Sequence, residues 1–363
     1  MTTGLQQTRN GCLLIADISG YTSYLQGTEL EHAEDVLADL LETIVASLEP
    51  TFQLSKLEGD AAFAHAPGGS LTPARVMDTV EAVYFDFQRR LRDITHSTTC
   101  DCNACVLIPN LDLKFVIHQG EYVMRRIART EELTGPDVIL VHRLLKSGVE
   151  AVVGSPAYAA YTAATIEAFD IDPSILGFLP HVETFDDIGD VTLFIQDLRT
   201  RWVFEQERNR EFVTEEEAVL TREVRGLPVK PSEIWQYITD PSKRIQWQEG
   251  LTGVDRVTGG RLELGTVSHC VHGPESFLER VIDWRPFAYI TTETEVRGTE
   301  DTVKLTTLID ELEDGTRVIY RAWAAPDVWS VIEAGFTAGL DSNNARLADL
   351  ITNDLAESGA LAT

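Results

Sequence analysis

The chain has 363 residues, a hydrophobic fraction of 44% and a formal net charge of −28, from 58 acidic and 30 basic side chains. This length suits two domains, and the acidic excess disfavours binding to a nucleic-acid phosphate backbone. No apolar run approaches the ~20 residues of a membrane helix, and the N-terminus lacks the basic and apolar regions of a signal peptide. We therefore expect a cytoplasmic protein without a membrane span.

The first elements alternate between strands and helices. An apolar strand over residues 13–16 ends in a carboxylate, Asp17. Apolar residues at helical spacing predict a helix over residues 29–48, and two short strands follow around a Gly-Asp turn. A Thr-Pro start signal and a further apolar spacing predict a second helix over residues 72–94.

The pattern continues to the end of a first domain. It predicts a strand over residues 111–120, a helix over 137–146, a helical segment over 155–169 and a closing strand over 190–198. The order β-α-β-β-α-β, with later additions, predicts an α+β domain over residues 1–198, in which helices cover one side of a sheet.

A different pattern occupies the rest of the chain. Residues 199–217 are highly charged and are interpreted as a linker or bridging helix. A strand over residues 218–230, two short helices after Pro231, several alternating strands and a long amphipathic helix follow. These elements predict a second domain over residues 218–363.

Asp17 and Asp60 are the candidate metal ligands. Asp17 ends the first strand and Asp60 lies at the hairpin turn, so an antiparallel sheet can bring both to one edge. Paired carboxylates form a hard-oxygen site for Mg²⁺ or Mn²⁺, and such an ion binds phosphates. Acids at strand ends also serve as caps or solvated turns, so the pattern leaves both interpretations open. The backbone amides at the start of the next helix are expected to bind these phosphates. These are the amides of Ser19, Gly20, Tyr21 and Thr22.

Residues 10–198 resemble the class III nucleotidyl cyclase catalytic domain, because four motifs occur in the family's order. The motifs are Asp-Ile-Ser-Gly-Tyr-Thr at residues 17–22, Lys-Leu-Glu-Gly-Asp at 56–60, Ile-His-Gln-Gly at 117–120 and, as a partial match, Gly-Pro-Asp-Val at 135–138 with Arg143. The resemblance implies a ferredoxin-like βαββαβ domain of the cyclase type, which binds a purine nucleotide together with Mg²⁺ or Mn²⁺.

The resemblance also implies residue roles and a homodimer. In this family the metal acids come from one protomer, and the base-reading residues and the arginine come from the other. A salt bridge from Lys56 to Glu58 or Glu132 is the alternative to a role in base recognition. The implied roles are metal binding by Asp17, Ile18 (through its carbonyl) and Asp60, base recognition by Lys56 and Glu132, and stabilisation of the transferring phosphate by Arg143.

Two positions depart from the family pattern. The asparagine that stabilises the transition state falls on Ile139, and the lysine that holds the triphosphate falls on Ile188, between acids. Losing one positioned donor typically lowers the rate by a factor of ~10²–10³. Three hypotheses stay open: an adenylate or guanylate cyclase, a nucleotide-binding regulatory module without turnover, and a zinc-stabilised scaffold that binds no nucleotide.

Three of the five cysteines lie within six residues. Three thiolates and one imidazole complete a tetrahedral zinc site, which predicts a structural zinc ion here. Cys12 or a residue of another chain is the alternative fourth ligand, and a loop with incidental buried thiols is the alternative to a metal site. The predicted ligands are Cys100, Cys102, Cys105 and His96.

Residues 218–356 resemble the START-like (SRPBCC, polyketide cyclase/lipid transport) superfamily in the order of their elements. The matching features are Pro-Ser-Glu-Ile-Trp at residues 231–235, Asp-Pro at 240–241, Trp-Arg-Pro at 284–286 and Gly-Thr-Arg at 315–317. The resemblance implies a helix-grip fold with a mostly apolar cavity for a lipid or other hydrophobic small molecule.

Three polar side chains of this domain are candidates for the cavity mouth, although ordinary strand packing explains them equally well. They are His269, His272 and Glu279. Together the two resemblances predict a sensor, in which a ligand of the second domain regulates a dimeric, nucleotide-binding first domain.

Overall fold

The computed structural model describes residues 7–26, 28, 30–97, 103–127, 130–207, 210–256, 262–272, 275–296, 299 and 301–357. The chain divides into two compact units, Met1–Arg208 and Asn209–Thr363. The division falls inside residues 199–217, the segment that the sequence assigns to a linker or bridging helix. Each unit combines helices with a sheet, which confirms the α+β class.

Within the described part of the first unit, eight strands form one sheet. The strands are β1 (Thr8–Ser19), β2 (Gln53–Glu58), β3 (Ala61–Pro67), β4 (Asp112–Ile127), β5 (Thr130–Thr134), β6 (Tyr158–Thr162), β7 (Leu179–Phe185) and β8 (Gly189–Asp197). Their order is β2-β3-β1-β4-β6-β8-β7, with β5 paired to β4. The β4–β6 pair is parallel and the other pairs are antiparallel.

Helices cover both faces of this sheet, which corrects the prediction of a single covered side. Alternate residues of β1 point to opposite faces: Leu14 packs with residues of the helices over 30–48 and 73–97, whereas Leu13 packs with Val141 of the helix over 136–144. The helices are α1 (Tyr21–Gln26), α2 (Leu30–Leu48), α3 (Pro73–Ser97), α4 (Asn103–Leu107), α5 (Pro136–Leu144), α6 (Val149–Val153), α7 (Ala163–Ala168) and α8 (Leu198–Glu207).

The helical segment predicted over residues 155–169 is wrong in its first half. Strand β6 occupies that half, and all five of its residues are buried. A strand buried on both faces lacks polar alternation and therefore reads like a buried helix. Helix α7 follows, capped by the Thr162 side chain, which accepts the N–H of Thr165. The edge strand β7 and the β4 partner β5 were not predicted.

Within the described part of the second unit, seven antiparallel strands form a sheet in the order β10-β11-β12-β13-β14-β15-β9. The strands are β9 (Leu220–Leu227), β10 (Leu251–Arg256), β11 (Val267–His272), β12 (Glu275–Arg285), β13 (Tyr289–Glu295), β14 (Thr302–Leu312) and β15 (Gly315–Trp323). The helices are α9 (Pro231–Thr239), α10 (Pro241–Trp247) and α11 (Pro326–Glu357).

The long helix α11 shares a core with one face of this sheet. Leu347 and Ile351 of α11 are fully buried in the same cluster as Trp235 of α9 and Val318 of β15. The predicted pair of short helices and the long last helix are therefore present, while the START-like assignment stays a prediction. No described helix is long and apolar enough to cross a membrane.

Candidate functional site

The two predicted metal acids meet at one end of the first sheet. Asp17 stands opposite Ala61, the residue that follows Asp60, in the pairing of β1 with β3. The backbone N–H of Ile18 donates to the carbonyl of Asp60 at 3.1 Å and holds the turn against β1. Burial raises the pKa of Asp60, and the negative charge of Asp17 raises it further. The two carboxylates are therefore close enough to repel each other.

Lys114 is a member of this site that the sequence analysis missed. It stands opposite Asp17 in the pairing of β1 with β4, and its Nζ lies 3.1 Å from Oδ2 of Asp17. Both side chains are only 17% exposed. The ammonium charge also opposes the upward shift in the pKa of Asp60. The sequence does contain a signal for Lys114, because it is the one charged residue in an otherwise apolar strand segment, residues 113–117.

The donor set fits a divalent cation only in part. Across the described residues, no group of three or more His, Cys, Asp and Glu side chains is arranged to hold a metal ion. Asp17, Asp60 and the Ile18 carbonyl are thus too few to fill the coordination shell of a metal ion with protein ligands alone. Mg²⁺ is commonly held by one or two carboxylates, with water and substrate phosphates as the other ligands. This pair suits an ion that arrives with a phosphate group.

The segment after Asp17 is held by local contacts. The Ser19 hydroxyl donates to the Pro156 carbonyl at 2.9 Å. Gly20 has a φ of 86°, and a Cβ there would lie 3.0 Å from a backbone carbonyl oxygen. Tyr21 begins α1, and burial together with nearby carboxylates raises the pKa of its phenol. Thr22 is exposed. Phosphate binding by these amides stays a prediction.

The two predicted base-recognition residues each contact another charged side chain. Lys56 Nζ lies 2.5 Å from Glu58 Oε1, so the salt bridge that the sequence left open is present. Glu132 faces Arg125 across the β4–β5 pair, with 3.7 Å between Oε2 and Nη2. A purine base would have to compete with these contacts or use the remaining donors and acceptors of both residues.

His142, to which the sequence gave no role, contacts the same glutamate. Its Nε2 lies 2.7 Å from Glu58 Oε2, and its Nδ1 lies 2.7 Å from the Val138 carbonyl oxygen. Both partners are acceptors, so only the doubly protonated ring donates to both. Phe63 packs edge-on against the ring at 5.0 Å. Burial raises the pKa of Glu58, but the bonds and charges of Lys56 and His142 bring it below its ordinary value.

Arg143, the predicted transition-state residue, forms an ion pair with Asp187. The two side chains are 41% and 57% exposed, so this pair contributes little to stability. Ile139, on the same helix, is 57% exposed, and Ile188 is 41% exposed. The surface thus presents apolar side chains where the resemblance expects hydrogen-bond donors.

The Ile-His-Gln-Gly motif contributes a buried histidine, His118 of β4, which lies against the first turn of α5. His118 is 5% exposed; its Nδ1 lies 2.9 Å from Thr162 Oγ1 and its Nε2 lies 3.5 Å from Asp137 Oδ1. Burial lowers the pKa of His118. A Cβ at Gly120 would lie 2.5 Å from Asp137 Oδ2 and 2.6 Å from His118 Nε2. The glycine therefore lets helix α5 approach β4, which agrees with a packing role for this histidine.

The predicted zinc site cannot be located on the part of the chain that is described. Cys100 and Cys102 lie outside the described residues, and so do the side chains of His96 and Cys105. Cys12, the alternative ligand, is 2% exposed in β1, and burial raises the pKa of its thiol to about 12. The zinc ion stays a prediction.

The second unit contains a cavity of about 80 Å³ between its sheet and helices. Its wall combines polar and apolar side chains, and the apolar ones include Trp247 of α10, Ile290 of β13, Leu305 of β14 and Leu340 of α11. Drug-sized ligands occupy pockets of ~300–1,000 Å³, so this cavity admits a small molecule or a few waters. This cavity is smaller than such pockets, and the lipid ligand stays a prediction.

Polar groups in the cavity wall are deeply buried. Arg244 is 7% exposed, and its Nη1 and Nη2 lie 2.8 and 3.2 Å from the two carboxylate oxygens of Glu279. Gln248 accepts from the Nε of the same guanidinium at 3.2 Å. Tyr320 is 3% exposed, and its hydroxyl has no hydrogen-bond partner among the residues that the structure describes. Burial raises the pKa of this phenol well above its ordinary range.

Only one of the three predicted cavity residues lines this cavity. Glu279 does, as part of the ion pair with Arg244. His269 alternates with the buried Cys270 on β11, so it lies on the opposite face of the sheet and borders a separate surface cavity. His272 packs edge-on against Phe277 at 5.7 Å. Alternation along the strand places His269 and His272 on opposite faces, so at most one of them could line the cavity; which face does so depends on how the helices pack on the sheet.

Known proteins resemble part of this chain. Residues 37–152 match a family described as protein of unknown function, DUF2652. The crystal structure of the guanylyl cyclase Cya2 has a TM-score of 0.40 and 16% identity, over 52% of this chain and 92% of that chain. The adenylyl cyclase CyaB from P. aeruginosa has a TM-score of 0.40 and 14% identity, over 53% of this chain and 96% of that chain.

A further solved structure is the catalytic core of a rhodopsin-guanylyl cyclase in complex with ATPαS, with a TM-score of 0.37 and 14% identity over 53% of this chain and 98% of that chain. Among curated proteins, the uncharacterized protein Rv2561/Rv2562 of Mycobacterium tuberculosis is 37% identical over 164 residues, which are 45% of this chain and 74% of that protein. The chain therefore belongs to the same family as this mycobacterial protein.

Proposed function

We propose that the first unit is a divergent nucleotidyl cyclase-like module, which binds a purine nucleotide together with a divalent cation and has little or no cyclase turnover. The observation that carries this proposal is the Asp17–Asp60 pair. A backbone hydrogen bond from Ile18 holds the Asp60 turn beside the end of β1, and burial, followed by repulsion from the charge of Asp17, raises the pKa of Asp60. A divalent cation with a phosphate ligand would relieve that repulsion and use both carboxylates as ligands.

The surroundings of the pair support binding more than catalysis. Ile139 and Ile188 supply no donor to a transferring phosphate, and Arg143 is paired with Asp187. When bound, the cation would polarise phosphate oxygens and orient them. Asp17 and Asp60 would hold it, and Lys56 would contact the base.

A homodimer is part of this proposal. The resemblance assigns the metal acids and the base-reading residues to opposite protomers. Several large apolar side chains of the first unit are well exposed, and a second copy could remove some of them from water. Leu57, Ile139 and Ile188 are among them, at 50%, 57% and 41% exposure.

A calorimetric titration with ATP and GTP in the presence of Mn²⁺, paired with an assay for cyclic product, tests the proposal. Binding without product is the expected result. Cyclic product that Asp17→Asn abolishes would instead establish an active cyclase. Absence of binding would leave the zinc-stabilised scaffold. Asp93→Asn, which removes an exposed carboxylate of α3, is the matched control and should bind like the wild type.

For the second unit we propose binding of a small molecule that regulates the first unit. The unpartnered Tyr320 hydroxyl supports a ligand with a hydrogen-bonding group, because a buried polar atom without a partner is costly. Arg244 is already neutralised by Glu279, which favours a ligand without net charge. The small volume of the cavity supports a compact ligand rather than a lipid chain.

A further inference from the structure

We propose that Lys114 is a resident counter-ion of the Asp17–Asp60 pair, and that a divalent cation binds this pair only by displacing the Lys114 ammonium group. The inference deepens the proposed function and rests on its metal site. The inference assigns to Lys114 control over the metal affinity of the site. It predicts that the chain without nucleotide binds divalent cations weakly.

The position of Lys114 in the sheet supports this role. Its neighbours Leu113 and Phe115 are fully buried, and Lys114 itself lies opposite Asp17 on the central strand pair of the sheet. With a side chain only 17% exposed, the ammonium group is largely removed from water and requires an anionic partner. Asp17 Oδ2, at 3.1 Å, is that partner.

The charges at the sheet end explain why Lys114 would oppose a metal ion. Asp17, Asp60 and Lys114 together carry a net charge of −1, so the lysine already neutralises half of the negative charge available to a cation. A metal ion would share a carboxylate with the ammonium group, and two positive charges on one carboxylate repel each other. Partial burial strengthens this repulsion because solvent screens it less.

A purely structural salt bridge makes a different prediction. If Lys114 only connects β4 to β1, its removal lowers the stability of the unit and leaves the metal affinity unchanged. If Lys114 is a counter-ion in competition with metal, its removal raises the metal affinity. Metal affinity, measured without nucleotide and without an activity assay, separates the two roles.

The test is a titration of the full chain with Mn²⁺ alone, in which electron paramagnetic resonance measures the free ion. Lys114→Met should lower the Kd for Mn²⁺ by about tenfold or more, the ratio that a change of one unit charge near a part-buried site commonly gives. Lys114→Arg keeps the charge and should bind like the wild type. Lys146→Met removes an exposed positive charge of the same unit and is the matched control, with an unchanged Kd.

The outcomes distinguish this inference from the proposed function. Asp17→Asn should abolish the gain seen in Lys114→Met. If the wild type binds Mn²⁺ and Lys114→Met binds no more tightly, the counter-ion role is overturned and the metal site stands. If neither protein binds Mn²⁺ alone, the counter-ion role is overturned, and the titration with ATP or GTP and Mn²⁺ then decides the proposed function separately. Circular dichroism checks the fold, and Lys114→Gln replaces the methionine variant if that variant is unfolded.

Discussion

The imidazole of His142 and the carboxylate of Glu58 lie 2.7 Å apart, Nε2 to Oε2, and connect helix α5 to strand β2. The second ring nitrogen contacts the Val138 carbonyl, so the ring is fixed to its own helix. Lys56 contacts the other carboxylate oxygen of Glu58. One glutamate therefore links the predicted base-recognition lysine to the helix that carries Arg143, which places both candidate nucleotide contacts on a connected framework.

We expect Glu58→Gln to destabilise the chain at neutral pH and to have no effect on stability in acid. Burial raises the pKa of Glu58, but Lys56 and His142 lower it by more, so it lies below the ordinary 4.5. A carboxyl group whose pKa is lower in the folded than in the unfolded state stabilises the fold. Its full contribution is present at pH values above the unfolded-state pKa, and it is lost as the pH falls through the folded-state pKa. Urea unfolding at several pH values across this range measures the effect.

The control for this prediction is Glu42→Gln, which removes an exposed carboxylate of helix α2. It should leave the pH profile of the unfolding free energy like that of the wild type. A Glu58→Gln variant with that same unchanged profile would contradict the stabilising role of the Lys56–Glu58–His142 contacts.

Tyr320→Phe should leave the second unit as stable as the wild type, or more stable by up to about 1 kcal/mol, because a buried hydroxyl without a partner costs free energy. Tyr237→Phe is the matched control. Its hydroxyl donates to Asp354 at 2.6 Å, so its loss should cost about 1 kcal/mol. Urea denaturation measures both variants. Destabilisation by Tyr320→Phe that equals the control would show that a partner, such as a buried water, satisfies this hydroxyl.

Arg244→Met should destabilise the second unit by about 3 kcal/mol, because it leaves the Glu279 carboxylate without its counter-ion in a largely buried wall. The double variant Arg244→Met with Glu279→Leu should recover most of this loss, since no unpaired charge then remains. A double-mutant cycle on the unfolding free energy measures the coupling between the two positions. Additive effects of the two single substitutions would contradict a coupled ion pair.

The sequence predicted local structure better than it predicted contacts between elements. Periodicity identified α2, α3 and α11, because their apolar stripes are local patterns. It failed at β6, where burial on both faces removes the alternation that marks a strand. Lys114, His142 and His269 were missed or misplaced, because strand register and helix docking decide what these side chains face. The Asp17–Asp60 pair was foreseeable, because antiparallel pairing of β1 with β3 brings the end of β1 at Asp17 beside the β2–β3 turn at Asp60.

Restoring the two missing donors tests whether they alone limit turnover. In the double variant Ile139→Asn with Ile188→Lys, cyclic product from ATP or GTP with Mn²⁺ should rise by a factor of ~10² or more, the amount that one positioned donor commonly supplies. Both side chains are exposed, so these substitutions leave the core unchanged. A product assay under saturating nucleotide measures the gain.

The matched control is Ile175→Asn, which replaces an isoleucine of the same unit that is also 57% exposed but has no predicted role. It should leave product formation at the wild-type level. If the double variant binds nucleotide and still forms no product, the ion pair with Asp187 is expected to keep the Arg143 guanidinium from contacting the transferring phosphate. Adding Asp187→Ala would free that arginine, and absence of product even then would contradict a cyclase-type arrangement of these residues.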